Sequence, residues 1–211
     1  MPGIINFETF LLTGILLNLS PGNDTIFILS RSIAQGKKAG IMSVLGIGTG
    51  SLIHTMLAAL GLSVIIGRSI LLFNIVRYAG AAYLLFIGLR MVIDRSRLNF
   101  NPVITSTAIN FTKIYQAAVL TNVLNPKVAM FFIAFLPQFV DPAYRDCVWP
   151  FLALGFTFTL TGTAWCLVPA IFSSSLFSGL RKHPSFSSYL TKTCGIVLIG
   201  LGIKVAITSR R

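Results

Sequence analysis

Two short polar segments hold most of the residues in this sequence that could do chemistry. Each interrupts a long apolar run and contains a proline among amide, hydroxyl and charged side chains. The first break is Asn18-Leu19-Ser20-Pro21-Gly22-Asn23-Asp24, and the second break is Thr121-Asn122-Val123-Leu124-Asn125-Pro126-Lys127. Because proline lacks a backbone N–H and clashes with the preceding turn, a helix that contains it leaves carbonyl groups without partners. The two breaks therefore predict irregular backbone beside a polar cavity.

Each break carries one charged residue, Asp24 in the first and Lys127 in the second. A charge inside an apolar span is costly unless it is paired or faces water, so we expect both to be functional. Asp24 could carry a proton or bind the ammonium group of a ligand, and the alternative is a cap on the half-helix that follows. Lys127 could bind a carboxylate or pair with Asp24, and the alternative is that it extends to the membrane interface.

Neutral polar groups in the same two segments add hydrogen-bonding capacity. They are Ser20, Asn23, Asn122 and Asn125. We also expect half-helices that begin at Gly22 and Lys127 to offer free N–H groups to a carboxylate. The next apolar run contains His54, and histidine is the side chain most often used to transfer protons at physiological pH. It could relay a proton, but a hydrogen-bonded packing role is the favoured interpretation.

The composition indicates which elements must position these residues. Of 211 residues, 55 % are hydrophobic and 10 % charged, and the mean hydropathy is +0.83; this excludes an ordinary soluble protein. A bilayer core about 30 Å thick needs roughly 20 apolar residues per helix. Because the apolar runs do not alternate as barrel strands do, they predict an all-α protein with six transmembrane helices. The predicted spans are residues 4–29, 40–66, 69–93, 114–140, 148–172 and 189–207.

The net charge of +12 comes from lysines and arginines that stand singly or in pairs between apolar runs. Membrane lipids explain this pattern better than nucleic acid does. The predicted loops 31–39, 94–113 and 173–188 hold eight of these residues, whereas the loops and termini on the opposite side hold four. This bias predicts that the first set is cytoplasmic and that both termini lie outside, although the two terminal arginines favour the reverse.

An internal duplication follows from the spacing of the breaks. Pro21 and Pro126 are 105 residues apart, half of the chain, and the same offset places the second span on the fifth. We therefore expect one membrane domain of two three-helix repeats, residues 1–105 and 106–211, whose first and fourth helices are broken. Three is odd, so the second repeat must be inverted. Inverted repeats with broken helices near the midplane are typical of secondary transporters.

Few residues outside the breaks suggest other chemistry. Cys147, Cys166 and Cys194 show no disulfide or metal-ligand spacing, and two histidines are too few for a divalent-metal cluster. No arrangement of nucleophile, base and carboxylate stands out, so we expect neither an enzyme nor a cofactor or metal site. Gly46 and Gly50, four residues apart, predict close helix packing, within one chain or in a homodimer.

Several stretches resemble the LysE/RhtB family of amino-acid exporters. They are Ser20-Pro21-Gly22-Asn23-Asp24 with residues 30–40, Tyr78-Ala79-Gly80-Ala81-Ala82-Tyr83-Leu84 with residues 88–90, and residues 121–127 with Phe135-Leu136-Pro137-Gln138-Phe139-Val140-Asp141-Pro142. The resemblance implies proton-driven export of amino acids such as leucine, threonine or homoserine across the bacterial inner membrane. Two positions depart from the family pattern: Asn23 replaces the second proline of Pro-Gly-Pro, and Ser51 stands where an aspartate is common. Because Ser51 cannot ionise, substrate choice or coupling can differ here.

Three other functions compete with amino-acid export. The chain could export another small solute or a divalent cation, but the latter needs a cluster of histidine, cysteine or carboxylate ligands. It could be a thiol electron carrier of related fold, which needs paired cysteines at the breaks, where Cys166 and Cys194 do not lie. A purely structural membrane protein is the last alternative, and polar breaks are costly without a function.

Overall fold

The fold is known from a computed structural model, which describes residues 2–20, 22–62, 70–93, 109–144, 146–172 and 184–207. Eight α-helices make up most of these residues: α1 (Phe7–Leu19), α2 (Asn23–Gln35), α3 (Lys37–Leu57), α4 (Ile70–Ile93), α5 (Phe111–Val123), α6 (Pro126–Met130), α7 (Val148–Ile171) and α8 (Pro184–Ile207). A π-helical turn, Ala58–Leu62, extends α3, and a second, Phe131–Phe135, extends α6 into the 3-10 turn Leu136–Phe139. Within the described ranges the only strand-like pairing is a single bridge, Ile4 to Val140. The predicted all-α class is confirmed.

The structure differs from the sequence prediction in two of the predicted loops. The loop predicted over residues 31–39 is wrong, because α2 continues to Gln35 and Gly36 alone separates it from α3. Gly36 has φ +84°, a left-handed conformation that glycine adopts without a steric penalty, so one residue is enough for the turn. Lys113, predicted in a loop, lies in the first turn of α5. Residues 94–108 and 173–183, with four of the eight basic residues of the predicted cytoplasmic loops, lie outside the described residues.

Among the described residues, two helices are long and apolar enough to cross a membrane: α3 with its π-helical extension, Lys37–Gly61, and α7. A third crossing results if the segments Phe111–Val123 and Pro126–Phe139, bent by 46° at the second break, form one span. The six crossings and the inverted repeat stay predictions. The distribution of side chains suits a lipid environment, because leucines such as Leu120 are 58 % exposed whereas Asn122, two residues later, is 2 % exposed.

Two apolar clusters pack the helices together. The larger one joins α1, the π-helical turn after α6 and α7 through aromatic contacts, and the ring centroids of Phe131 and Phe158 are 4.3 Å apart. The smaller one includes Ile28 of α2, Val44 of α3 and Cys166 of α7. Because the two clusters hold different helices against α7, α7 is the common support for both α1 and α2.

Glycines let α3 approach α5 closely. A Cβ atom on Gly46 would lie 2.5 Å from the carbonyl oxygen of Tyr115, and one on Gly50 would lie 2.7 Å from the Cβ of Asn122. Neither space admits a methyl group, which confirms the close packing predicted from the spacing of these two residues. This approach brings α3 against the last turn of α5, just before the second break.

The N-terminal segment is tied to the end of the helical path that follows α6. The N–H of Ile5 donates to the carbonyl of Phe139, and the N–H of Asp141 donates to the carbonyl of Gly3, both at 2.9 Å. Gly3 has φ +76°, and a Cβ there would lie 2.7 Å from Pro150. The chain can therefore make this contact only with glycine at position 3.

Candidate functional site

The first break separates α1 from α2 by three residues. Ser20 follows α1 with extended backbone, φ −65° and ψ 118°, and Pro21 lies outside the described residues. Gly22 precedes α2, which begins at Asn23, one residue later than predicted. Because Gly22 has no side chain to cap the helix, the N–H groups of Asn23, Asp24 and Thr25 have no hydrogen-bond partner in the described part of the chain.

The second break is shorter than the sequence suggested. Thr121, Asn122 and Val123 are helical, so only Leu124 and Asn125 separate α5 from α6. The start of α6 is capped, because the side-chain oxygen of Asn125 accepts a hydrogen bond from the N–H of Lys127 at 3.1 Å. Pro126, the first residue of α6, has no N–H to satisfy. The free N–H groups expected at Lys127 are therefore absent from this helix start, unlike the start of α2.

Lys127 connects the second break to the first. Its Nζ donates hydrogen bonds to the carbonyl oxygens of Leu17 and Ser20, both at 2.8 Å. These carbonyls lie at the end of α1, where helix geometry leaves them without intrahelical partners and where the helix dipole is negative. The ammonium group also lies beside the start of α2, since a Cβ on Gly22 would be 3.6 Å from Nζ. Lys127 thus places a positive charge between the two half-helices of the first break.

Asp24, in the first turn of α2, points to the second break. Its Oδ2 accepts a hydrogen bond of 2.8 Å from the side-chain amide of Asn122, so its hydrogen bond crosses to α5 instead of capping α2. Its Oδ1 is buried and has no partner of hydrogen-bonding geometry among the described residues. The side chain of Asn125 also lies close to this carboxylate, and Lys127 and His54 interact with it electrostatically. Oδ2 of Asp24 therefore has a hydrogen bond of good geometry in the described part of the chain, and Oδ1 has none.

Asn122 is the residue through which α3, α5 and α2 meet. Its side-chain amide holds Asp24, its side-chain oxygen is buried without a partner in the described part of the protein, and its backbone carbonyl lies 3.2 Å from Nε2 of His54. A carbonyl can only accept, so Nε2 of His54 must carry the hydrogen. The His54 ring also stacks on Phe132, with centroids 5.6 Å apart. These contacts fix His54 as a packed residue that supports Asn122.

Most of the predicted site residues come together at this contact between the breaks. Ser20, Asn122, Asn125 and His54 are buried, and Gly22, Asp24 and Lys127 are partly buried. Asn23 and Pro126 are exposed. Their side chains therefore do not belong to the buried contact.

A pair of hydroxyl groups was missed by the sequence analysis. Ser51 of α3 and Thr159 of α7 lie 2.8 Å apart through their oxygens, and both are buried. The predicted repeat offers one signal for Thr159, because the 105-residue offset places it on His54. The pair joins α3 and α7, which are both long and apolar enough to cross a membrane.

The residues of the competing functions lie elsewhere. Cys166 is buried in α7, within the smaller apolar cluster, and Cys147 is exposed just before α7. Cys194 lies in α8. The residues that the structure describes contain no group of three or more histidine, cysteine or acidic side chains that could hold a metal ion.

Comparison with known proteins finds one matching family model and several relatives of similar length. A family model described as LysE type translocator matches residues 15–209. The leucine efflux protein of Salmonella typhimurium is 31 % identical over 208 residues, covering 97 % of this chain and 96 % of that protein. A membrane protein of Vibrio cholerae is 30 % identical, covering 93 % and 94 %, and membrane protein YrhP of Bacillus subtilis is 28 % identical, covering 92 % and 94 %. No solved structure matches the chain significantly. With its apolar helices, the chain is a multi-pass membrane protein.

Proposed function

We propose, since the chain belongs to the family of LysE-type translocators, that it is a secondary exporter of amino acids. Leucine, threonine and homoserine are the substrates that we expect, and the similarity to a leucine efflux protein over nearly the whole chain supports the first of them. The transporter would work in the bacterial inner membrane by proton antiport, with membrane lipids around its exposed apolar side chains. On this proposal the chain is a transporter and not an enzyme.

The contact between the two breaks is the observation that carries this proposal. An amino acid has a positive and a negative end, and the contact offers a complementary group to each. The unpartnered Oδ1 of Asp24 can accept a hydrogen bond from the ammonium group. The N–H groups at the start of α2, next to the ammonium group of Lys127, can bind the carboxylate.

The other predicted residues would complete this site. Ser20, Asn122 and Asn125 contribute neutral polar groups, and Pro21, Gly22 and Pro126 keep the backbone of the breaks from closing into continuous helices. On this proposal the six helices form inverted repeats, residues 1–105 and 106–211, with the breaks near the midplane. Alternating access would then move one repeat against the other. A homodimer stays a prediction of the small-residue spacing.

Transport into everted membrane vesicles tests the function directly. Vesicles from cells that express the protein are energised with a proton gradient and offered labelled leucine, threonine, homoserine, lysine and arginine. We expect uptake of one chemical class and its collapse by a protonophore. Uptake no higher than in vesicles without the protein, for the whole panel and with the protein present in the membrane, would contradict amino-acid export.

Two substitutions test the location of the site. Pro21→Leu and Asp24→Ala should reduce uptake to the level of empty vesicles while the protein still inserts, because each removes a feature of the first break. Glu8→Gln is the matched control, since Glu8 is an exposed carboxylate in the first turn of α1 and should be dispensable. Normal export by both break variants would move the site away from the breaks.

A further inference from the structure

Buried polar atoms without partners point to what the site binds. The described residues contain four such side-chain atoms: Oδ1 of Asp24, Oδ1 of Asn122, Oγ of Ser32 and Nε1 of Trp165. The first two belong to side chains that are joined to each other by the 2.8 Å hydrogen bond from Asn122 to Asp24. When Asp24 is ionised, its Oδ1 and the Oδ1 of Asn122 can both only accept hydrogen bonds. A buried acceptor without a donor is unfavourable, and here two of them stand on neighbouring groups.

Two kinds of donor can supply a hydrogen bond to these unpartnered oxygens. An ammonium group carries several N–H bonds and a positive charge, so it can donate to the carboxylate oxygen and to the amide oxygen together. A single proton on Oδ1 of Asp24 turns that oxygen from an acceptor into a donor and removes the negative charge. Both donors need the same oxygen atom. They therefore cannot be bound at the same time.

We propose, building on the proposed function, that Asp24 and Asn122 form one exchange point at which the substrate's primary ammonium group and the coupling proton displace each other. In one state Oδ1 of Asp24 holds a proton as O–H. When the ammonium group binds, that proton leaves to water, and the positive charge of the ligand replaces it. One proton is released for each substrate bound. The ligand class is a small molecule with a primary ammonium group, and the carboxylate of the ligand is not needed for the exchange.

The other ionisable groups around Asp24 are already engaged. Lys127, from α6, donates two hydrogen bonds to the end of α1. His54, from α3, uses its Nε2 hydrogen on the carbonyl of Asn122. Cys166, from α7, interacts electrostatically with Asp24 but is a thiol packed among apolar residues. Among these ionisable groups, Asp24 is the one with a buried side-chain atom, Oδ1, that has no hydrogen-bond partner in the described part of the chain.

Proton release on ligand binding tests the exchange. The purified protein is placed in weakly buffered detergent solution with a pH indicator and titrated with leucine. At a pH low enough for Asp24 to be protonated before leucine is added, we expect one proton to be released for each leucine bound. Leucinol, which has the ammonium group without the carboxylate, should also release it, whereas N-acetyl-leucine, which has the carboxylate alone, should not. Asp24→Asn should abolish the release, and Glu8→Gln should behave as the natural protein.

A second measurement needs no substitution. In the pH range where Asp24 is protonated in the free protein, the dissociation constant of leucine should rise about tenfold for each unit by which the pH is lowered. The reason is that the proton competes with leucine for the same oxygen. Leucine binding without proton release and with a pH-independent dissociation constant would overturn the exchange and leave amino-acid export standing. Proton release by N-acetyl-leucine would overturn the assignment to the ammonium group. Failure of the whole amino-acid panel to bind or to be transported would overturn both proposals.

Discussion

Replacing Lys127 by methionine removes the ammonium group that joins the two breaks and keeps the apolar part of the side chain. Two hydrogen bonds of 2.8 Å, to the carbonyls of Leu17 and Ser20, are lost. A hydrogen bond to a charged group contributes about 1.5–3 kcal/mol. Ser20 is 2 % exposed, so water does not readily replace the lost donor. We expect Lys127→Met to lower the free energy of unfolding by about 3–6 kcal/mol.

Unfolding in mixed micelles measures this loss. The protein is titrated with a denaturing detergent, and the fluorescence of its two tryptophans follows the transition. Lys192→Met is the matched control, because Lys192 is an exposed lysine on α8 and its loss should change the free energy by less than about 0.5 kcal/mol. If Lys127→Met unfolds as the control does, Lys127 does not hold the end of α1 and does not join the two breaks.

Three further comparisons test neighbouring features. Asn125→Ala should lower the free energy of unfolding by about 2 kcal/mol and Asn110→Ala by under about 1 kcal/mol, because both side chains cap a helix but only Asn125 is buried. Equal losses in the micelle titration would refute the role of burial. Gly50→Ala should lower the free energy of unfolding by about 1–3 kcal/mol, because the new methyl group overpacks against α5. Gly200→Ala should leave it unchanged, since no atom lies within 4 Å of the new methyl group. The opposite order in the same titration would contradict the close approach of α3 to α5. His54→Gln should leave the pH profile of vesicle uptake unchanged, since Nε2 donates to a backbone carbonyl; a shifted profile would instead identify His54 as a proton carrier.

The sequence predicted the elements well where a single physical signal decides them. Continuous apolar runs predicted α4 and α7 almost to the residue, and proline among polar residues located both breaks. The turn at Gly36 was missed, because a one-residue turn has no polar loop to reveal it and depends on the left-handed backbone of that glycine. Asn122 was placed in the break, although α5 continues through it, since helix ends cannot be read from composition alone.

The partners of the site residues were harder to predict than the residues themselves. Lys127 was expected to meet a carboxylate, yet the groups that hold its ammonium in two hydrogen bonds are backbone carbonyls of α1. Every residue has a carbonyl, so the sequence contains no signal for this contact. The hydrogen bond between Asn122 and Asp24 also depends on the close approach of α3 to α5 at Gly50, a tertiary feature.

The attachments of α1 have a mechanical consequence. Backbone hydrogen bonds tie the chain just before α1 to Phe139 and Asp141, and Lys127 ties the other end of α1 to the start of α6. Along its length α1 packs on α7, where a Cβ on Gly14 would lie 3.3 Å from Phe158. All of these partners belong to residues 106–211, whereas α1 meets α2 through a short irregular link. Under the proposed alternating access, α1 should therefore move together with residues 106–211, with Gly22 as the hinge, and the moving bodies would not coincide with the two predicted repeats.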